Sequence, residues 1–190
     1  ASILSVVLML VGLLWTRITP ESADRAPLAG EEGLMLDSGL PDALQRELAW
    51  GSAQLLTATP AACLLLQWRG RDLLRRGLLP EAASRAAAFA GGPICQRAQQ
   101  GERPISLVDL RLYPGRQEFE ALLPGLPAVV VQPFGACGLL LLGGWSARCF
   151  SRSDLTWIEG WTQKLTVEWA QELDAAVGAM ASEPAEPGSD

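Results

Sequence analysis

The chain is 190 residues long, 49% hydrophobic and 19% charged, a balance that supplies a core and excludes disorder of the whole chain. Its formal net charge of −6 argues against nucleic acid as a partner, because phosphate binding calls for a basic surface. It has no histidine, which excludes a Ser-His-Asp triad, histidine-ligated zinc, imidazole acid–base catalysis and a histidine axial ligand to haem from this chain.

Residues 1–18 are predicted to be a transmembrane anchor. The run ASILSVVLMLVGLLWT carries no charge before Arg17. A helix of about sixteen to eighteen residues spans roughly 24–27 Å, just short of a hydrocarbon core of roughly 30 Å. Trp15 and Arg17 suit the interface. A cleaved signal peptide fits less well, since a basic start and a small-residue cleavage site are missing. A core helix would show a polar face, and only Ser2 and Ser5 interrupt this one.

Residues 19–40 mix Pro, Gly and acidic side chains and are predicted to be a linker. Residues 41–178 are expected to form one α+β domain. Pro41-Asp42 opens a helix whose Leu44, Leu48, Gly51, Ser52 and Leu55 share a stripe, with Trp50 beside it and Pro60 ending it. ACLLLQW (62–68), the turn Arg69-Gly70-Arg71 and DLLRRGLL (72–79) predict a β-hairpin. Residues 80–90 are Ala-rich and predict a short helix closed by Gly91-Gly92-Pro93. Residues 105–113 predict a strand. AVVVQP (128–133) and GLLLLGG (138–144) predict a second hairpin, apolar on both faces and therefore central in the sheet. Residues 153–178 predict a long helix, with Leu155, Ile158, Thr162, Leu165, Trp169, Leu173 and Val177 facing the core and Trp157, Trp161, Lys164 and Glu168 on the adjacent stripe. The acidic, Pro-containing residues 179–190 are expected to be a disordered tail. The order implies an antiparallel sheet of about five strands with flanking helices, GAF/PAS-like or profilin-like, an analogy that names no ligand.

Three features compete for function. Tyr113-Pro114-Gly115-Arg116 is a turn signature followed by Glu118 and Phe119. It either displays Arg116, Glu118 and Phe119 to a partner or is a wide turn with Arg116 and Glu118 paired at the surface. Gly143-Gly144-Trp145 leads through Arg148-Cys149 into the last helix. A neighbouring arginine and a helix N-terminus would lower a thiol pKa, which makes Cys149 the candidate reactive thiol. The plainer reading takes Cys63, Cys95, Cys137 and Cys149 as buried structural thiols, with Cys63 and Cys137 inside strands. No C-x-x-C pair is present. Seven tryptophans stand against one tyrosine and four phenylalanines. Trp157 and Trp161 are either core or exposed docking aromatics. The candidate partner contacts are Tyr113, Arg116, Glu118, Phe119, Trp145, Arg148, Trp157 and Trp161. No paired carboxylates suggest a general acid and base.

These motifs carry a resemblance. Y-P-G-R-x-E-F (113–119), V-V-V-Q-P (129–133) and G-L-L-L-L-G-G-W-S-x-R-C-F-S-R-S-D-x-x-W-I-x-G-W-x-x-K-L (138–165), with L-A-W-G-S-x-x-L-L (48–56) upstream, resemble the CCB family. These are the proteins for cofactor assembly of complex C in cyanobacteria and chloroplasts, and the match is nearest the type-four members. It covers roughly residues 42–170. It implies a thylakoid membrane protein whose domain faces the stroma or cytoplasm. Such proteins assist covalent attachment of haem ci to apocytochrome b6 during cytochrome b6f assembly, in a hetero-oligomer with homologous subunits and without an established catalytic residue. Chloroplast members look like two-span proteins, whereas this chain shows one apolar run.

The residues read alongside this suggest no enzyme and no stably bound cofactor. Transient haem would rest on Cys, Met or Tyr, or on apolar and Trp contacts with Arg at the propionates. The alternatives are a membrane-anchored GAF-like small-molecule sensor or protein-interaction module, and a thiol enzyme using Cys149.

Overall fold

A computed structural model describes residues 25–81 and 87–181, together with Val7 and Met9. Between residues 25 and 181 the described elements are, in order, β1 (Glu31–Leu36), α1 (Asp42–Ala58), β2 (Ala61–Trp68), β3 (Arg71–Leu79), α2 (Pro93–Gly101), β4 (Ile105–Leu107), β5 (Ala128–Phe134), β6 (Gly138–Gly144) and α3 (Arg152–Ala181). Two 3-10 turns, Leu110–Leu112 and Arg116–Phe119, lie between β4 and β5. The strands form one antiparallel sheet in the order β1-β3-β2-β6-β5-β4.

The centre of the sheet follows from composition. β2 and β6 are buried along their whole length, as continuous apolar runs require. Their side chains alternate between two cores. Leu64, Leu66, Leu140 and Leu142 meet Leu44 and Leu48 of α1 and Ile158, Leu165 and Leu173 of α3. Leu65, Leu141, Val129 and Val131 face Cys95 and Ala98 of α2 and the 110–126 segment, including Phe119 and Leu123. The β2–β3 hairpin turns on Arg69 (φ 51°) and Gly70 (φ 75°), the two left-handed residues of a type I′ turn. At the head of α3, Ser151 N–H donates to Asp154 Oδ2 at 2.6 Å and Asp154 N–H donates back to Ser151 Oγ at 3.2 Å. That reciprocal box caps the helix.

Several expectations need correction. The sheet has six strands, because β1 arises within the segment 19–40 expected to be linker. It pairs with β3 from Glu31↔Leu79 to Leu36↔Leu74. Gly91-Gly92-Pro93 opens a helix and does not close one, since Pro93 is preorganised for a first helical turn. In the predicted helix at 80–90, residues 80–81 and 87–90 are not helical, and 82–86 lie outside the described residues. The strand expected over 105–113 stops at Leu107. Asp109 Oδ1 accepts the N–H of Arg111 at 3.1 Å and bends the chain into a 3-10 turn. Cys137 belongs to the β5–β6 turn, not to a strand.

The predicted anchor at 1–18 and most of the predicted tail at 179–190 lie outside the described residues, although α3 itself extends to Ala181. Among the described residues no helix is long and apolar enough to cross a membrane.

Candidate functional site

The sequence-predicted contacts separate onto opposite faces of the sheet. On the α2 face, the turn after β6 meets the 110–127 segment. Leu110 N–H donates to Pro127 O at 2.8 Å, and Arg148 N–H donates to Val108 O at 2.6 Å from a left-handed backbone (φ 58°). Between the two segments lies a cleft of about 600 Å³ whose walls include Arg111, Arg116, Phe119, Leu126 and Ser146. The chain near residue 25 straps one end of it. Ala26 N–H donates to Trp145 O at 2.7 Å, and the Arg25 guanidinium lies 5.3 Å from the centroid of the Trp145 ring. Ala26 itself lines the cleft. Arg116 and Arg148 are exposed, and Trp145 and Tyr113 are half-buried. At the mouth, Arg111 donates to both oxygens of Asp109, at 3.0 and 2.8 Å, and holds that carboxyl below its usual range.

Two members of the predicted contact set have structural duties here. Phe119 is 1% exposed and sits in the core, out of a partner's reach. Glu118 does not pair with Arg116. Its carboxylate accepts the N–H groups of Gly92, Ile94 and Cys95 at 2.8, 3.0 and 2.9 Å, capping α2. A Cβ on Gly92 would lie 2.7 Å from the Glu118 carboxyl carbon, so a glycine is what lets the carboxylate in.

On the other face, α1 and α3 enclose a groove of about 490 Å³ walled by Trp50, Leu55, Ala58, Trp157, Gly160 and Trp161. Trp50 and Trp157 are 59% and 64% exposed, while Trp161 is 8% exposed. Of the two aromatics expected on this stripe, only Trp157 presents itself to solvent. Trp161 lies over Gly51, where a Cβ would come within 2.1 Å of its ring nitrogen. Its Nε1 donates to Glu47 Oε1 at 3.3 Å. Glu47 Oε2 also holds Lys164 Nζ at 2.6 Å, which raises the lysine's pKa and sets the ammonium 5.7 Å from the Trp50 ring centroid. Glu47 was not among the sequence-derived candidates, because its role depends on α3 arriving beside α1.

All four cysteines are free. Burial pushes the Cys149 thiol up, against the lowering expected from Arg148 and the helix start, and nearby Asp154 adds to the rise. Its Sγ faces Pro60 O at 3.9 Å. Burial also pushes Cys63 up to about 12. Cys95 rises too, through burial first and then through Glu118. Among the described residues no group of side chains has a metal-binding arrangement.

An antiparallel sheet with a helical pair on one face and a helix-and-loop layer on the other is a GAF-like architecture. A domain of a two-component sensor histidine kinase from Sinorhizobium meliloti is similar with a TM-score of 0.54 at 12% identity, over 74% of this chain and 99% of that one. The GAF domain region of a membrane protein from Geobacter sulfurreducens is similar with a TM-score of 0.50 at 12% identity, over 72% and 95%. At such identities the likeness is one of fold alone.

The family model for the CCB2/CCB4 proteins of cofactor assembly of complex C matches residues 1–165, and the chain belongs to that family. It is 30% identical over 169 residues to CCB4, the chloroplastic cofactor assembly of complex C protein of Arabidopsis thaliana. The match takes in 85% of this chain and 57% of that relative, so the chain spans little more than half of the relative's length.

Proposed function

We propose that this chain is an assembly factor, not an enzyme, that assists covalent attachment of haem ci to apocytochrome b6 during biogenesis of the cytochrome b6f complex. It acts at the thylakoid membrane, in a hetero-oligomer with homologous family members, with residues 1–18 as its tether and the GAF-like body facing the cytoplasm or stroma. The observation that carries this reading is the family match over residues 1–165. The chemistry of the chain is consistent with it. The chain has no imidazole, and burial holds Cys63, Cys95 and Cys149 toward the protonated, less nucleophilic thiol. The chain holds haem at most transiently.

The test is a strain lacking the gene. Cytochrome b6 is resolved by denaturing electrophoresis and stained for covalently bound haem. Loss of the stained band, restored by the wild-type gene, supports the reading, and normal staining in the deletion overturns it. Affinity purification from solubilised thylakoids should recover a homologous family member or apocytochrome b6.

A second reading, a GAF-like sensor of a small molecule, draws on the 600 Å³ cleft beneath the Arg25–Trp145 strap. A metabolite that remains bound through purification would favour it.

A further inference from the structure

The rim of the cleft on the α2 face joins uncompensated positive charge to protruding apolar side chains. Arg111 and Arg116 line the cleft, and Arg25 lies over Trp145 at its strapped end. The Asp109 carboxyl is lowered first by its bonds to Arg111 and then by the nearby charge of Arg148, which puts Arg148 on the same rim. Among the described residues, only Arg111 of these arginines is bonded to a carboxylate. Glu120 is the one acidic residue in the cleft wall, while Glu118 is turned into the α2 cap. The rim is therefore positive on a chain of net charge −6, so the remaining surface is more acidic still.

In the same stretch of chain Val108 is 40% exposed and Leu112 69% exposed. Val108 O accepts the N–H of Arg148 at 2.6 Å, which joins the apolar and basic parts of the rim. Tyr113 and Trp145 are half-buried nearby. A single exposed leucine is ordinary. Arginine, aromatic and aliphatic groups on one rim suit the interface of a bilayer. Guanidinium heads reach phosphates there, while their stems and the aliphatic groups enter the acyl boundary. An acidic protein would also answer the charge, but the chain itself brings a bilayer near. Residues 17–24 alone separate the uncharged run 1–16 from Arg25.

We infer that this rim docks on a bilayer containing anionic lipid, with Arg25, Arg116 and Arg148 at the headgroups and Val108 and Leu112 in the acyl boundary. The inference rests on the tether reading for the nearness of the bilayer. It adds a second, salt-sensitive contact that sets which face of the domain meets the membrane. The acidic remainder is repelled by the same lipid, so no other face competes.

The experiment reconstitutes the full chain into vesicles of phosphatidylcholine, with or without about 30% phosphatidylglycerol. Arginine modification by phenylglyoxal is followed by mass spectrometry. Arg46, exposed on α1 across the sheet, is the internal reference. Relative to Arg46, Arg116 and Arg148 should react about fivefold more slowly in anionic vesicles than in neutral ones. About 0.5 M salt should remove the difference by screening. Leu112→Asp should abolish the protection with the unfolding midpoint unchanged, since that side chain lies mostly in water. Equal rates in the two vesicles overturn the inference, as does protection that survives Leu112→Asp. Protection that appears only with a protein partner recovered from solubilised membranes also overturns it and makes the rim a protein contact. Flotation tests the tether separately. A chain that floats with neutral vesicles but shows equal rates keeps the anchor and loses the rim. One that floats only with anionic vesicles, its rim protected, keeps the rim and loses the anchor. One that floats with neither loses both.

Discussion

The carboxylate of Glu118 lies over the first turn of α2, with Oε1 2.9 Å from the main-chain nitrogen of Cys95 and 2.8 Å from that of Gly92. A residue from the most distinctive turn of the sequence therefore closes a helix that begins more than twenty residues earlier. Glu118→Ala strips three N–H groups of their acceptor and should cost about 1–3 kcal/mol in urea unfolding, with the denaturant slope unchanged. Glu118→Gln keeps an acceptor oxygen and loses the charge, and should fall between the two. Capture of a partner should change only as far as stability does. A Glu118→Ala variant that is fully stable yet captures nothing would show a direct contact instead.

Gly51 offers a case where two effects oppose. Alanine is better than glycine in a helix by about 1 kcal/mol. Here the added Cβ meets the indole of Trp161 at 2.1 Å, and ring atoms cannot yield as a flexible side chain would. Overpacking of this kind costs about 1–3 kcal/mol, so Gly51→Ala should lower the unfolding midpoint. Displacement of Trp161 should also appear as a change in tryptophan fluorescence.

Asp174 separates a buried interaction from an exposed one. Its Oδ1 accepts from Trp68 Nε1 at 2.8 Å and from Arg69 Nη2 at 2.9 Å. Trp68 is 2% exposed, whereas the Arg69–Asp174 pair is about half-exposed and screened by solvent. Asp174→Ala leaves the indole donor orphaned and should cost about 1–3 kcal/mol. Arg69→Gln should stay within about 0.5 kcal/mol of the wild type. Thermal unfolding of the two variants checks the contrast.

Stability should fall on the alkaline side. The Cys63 thiol has an ordinary pKa of 9.0 and is pushed up to about 12 by burial, and Cys95 moves the same way. Between these values the unfolded chain releases the proton and the folded chain keeps it. The stabilisation is therefore complete below pH 9 and declines as pH rises, by about 1.4 kcal/mol per pH unit for each such thiol. Lys164 acts in the same sense above 10.5, since its bond to Glu47 favours the charged form that base removes. Cys63→Ala should flatten the decline in denaturant titrations between pH 9 and 11.

Thiol labelling should follow exposure. Cys137, in the β5–β6 turn and part-exposed, should react first with iodoacetamide at pH 8, with Cys149 slower and Cys63 and Cys95 protected until unfolding. Mass spectrometry of a time course gives the order. Cys149 labelled ahead of Cys137 would favour the thiol-enzyme reading.

What could be read from the residues was what neighbours in sequence decide. The two hairpins announced themselves through apolar runs flanking Arg69-Gly70 and Gly135, and the final helix through its recurring Leu and Trp positions. The elements that were missed depend on distant partners. EEGLML becomes a strand only because β3 offers it a free edge. Gly-Gly-Pro punctuates a helix end and a helix start equally well, and it was the distant Glu118 that settled the choice. The same holds for the site. Trp157 and Trp161 lie one turn apart on one stripe, and local pattern cannot say that Trp161 slides onto Gly51 while Trp157 stays outside. That Arg116 and Ser146 share a cleft is a fact of sheet order, invisible along the chain.

The strand formed by Glu31–Leu36, with the Arg25–Trp145 strap before it, shortens the leash of the domain. A connection that looked like 22 residues of spacer becomes, at most, residues 17–24 between the apolar run and the first docked residue. Eight residues pulled straight reach about 29 Å and no further. Whatever binds the apolar run is therefore kept within about that reach of the point where Arg25 meets Trp145.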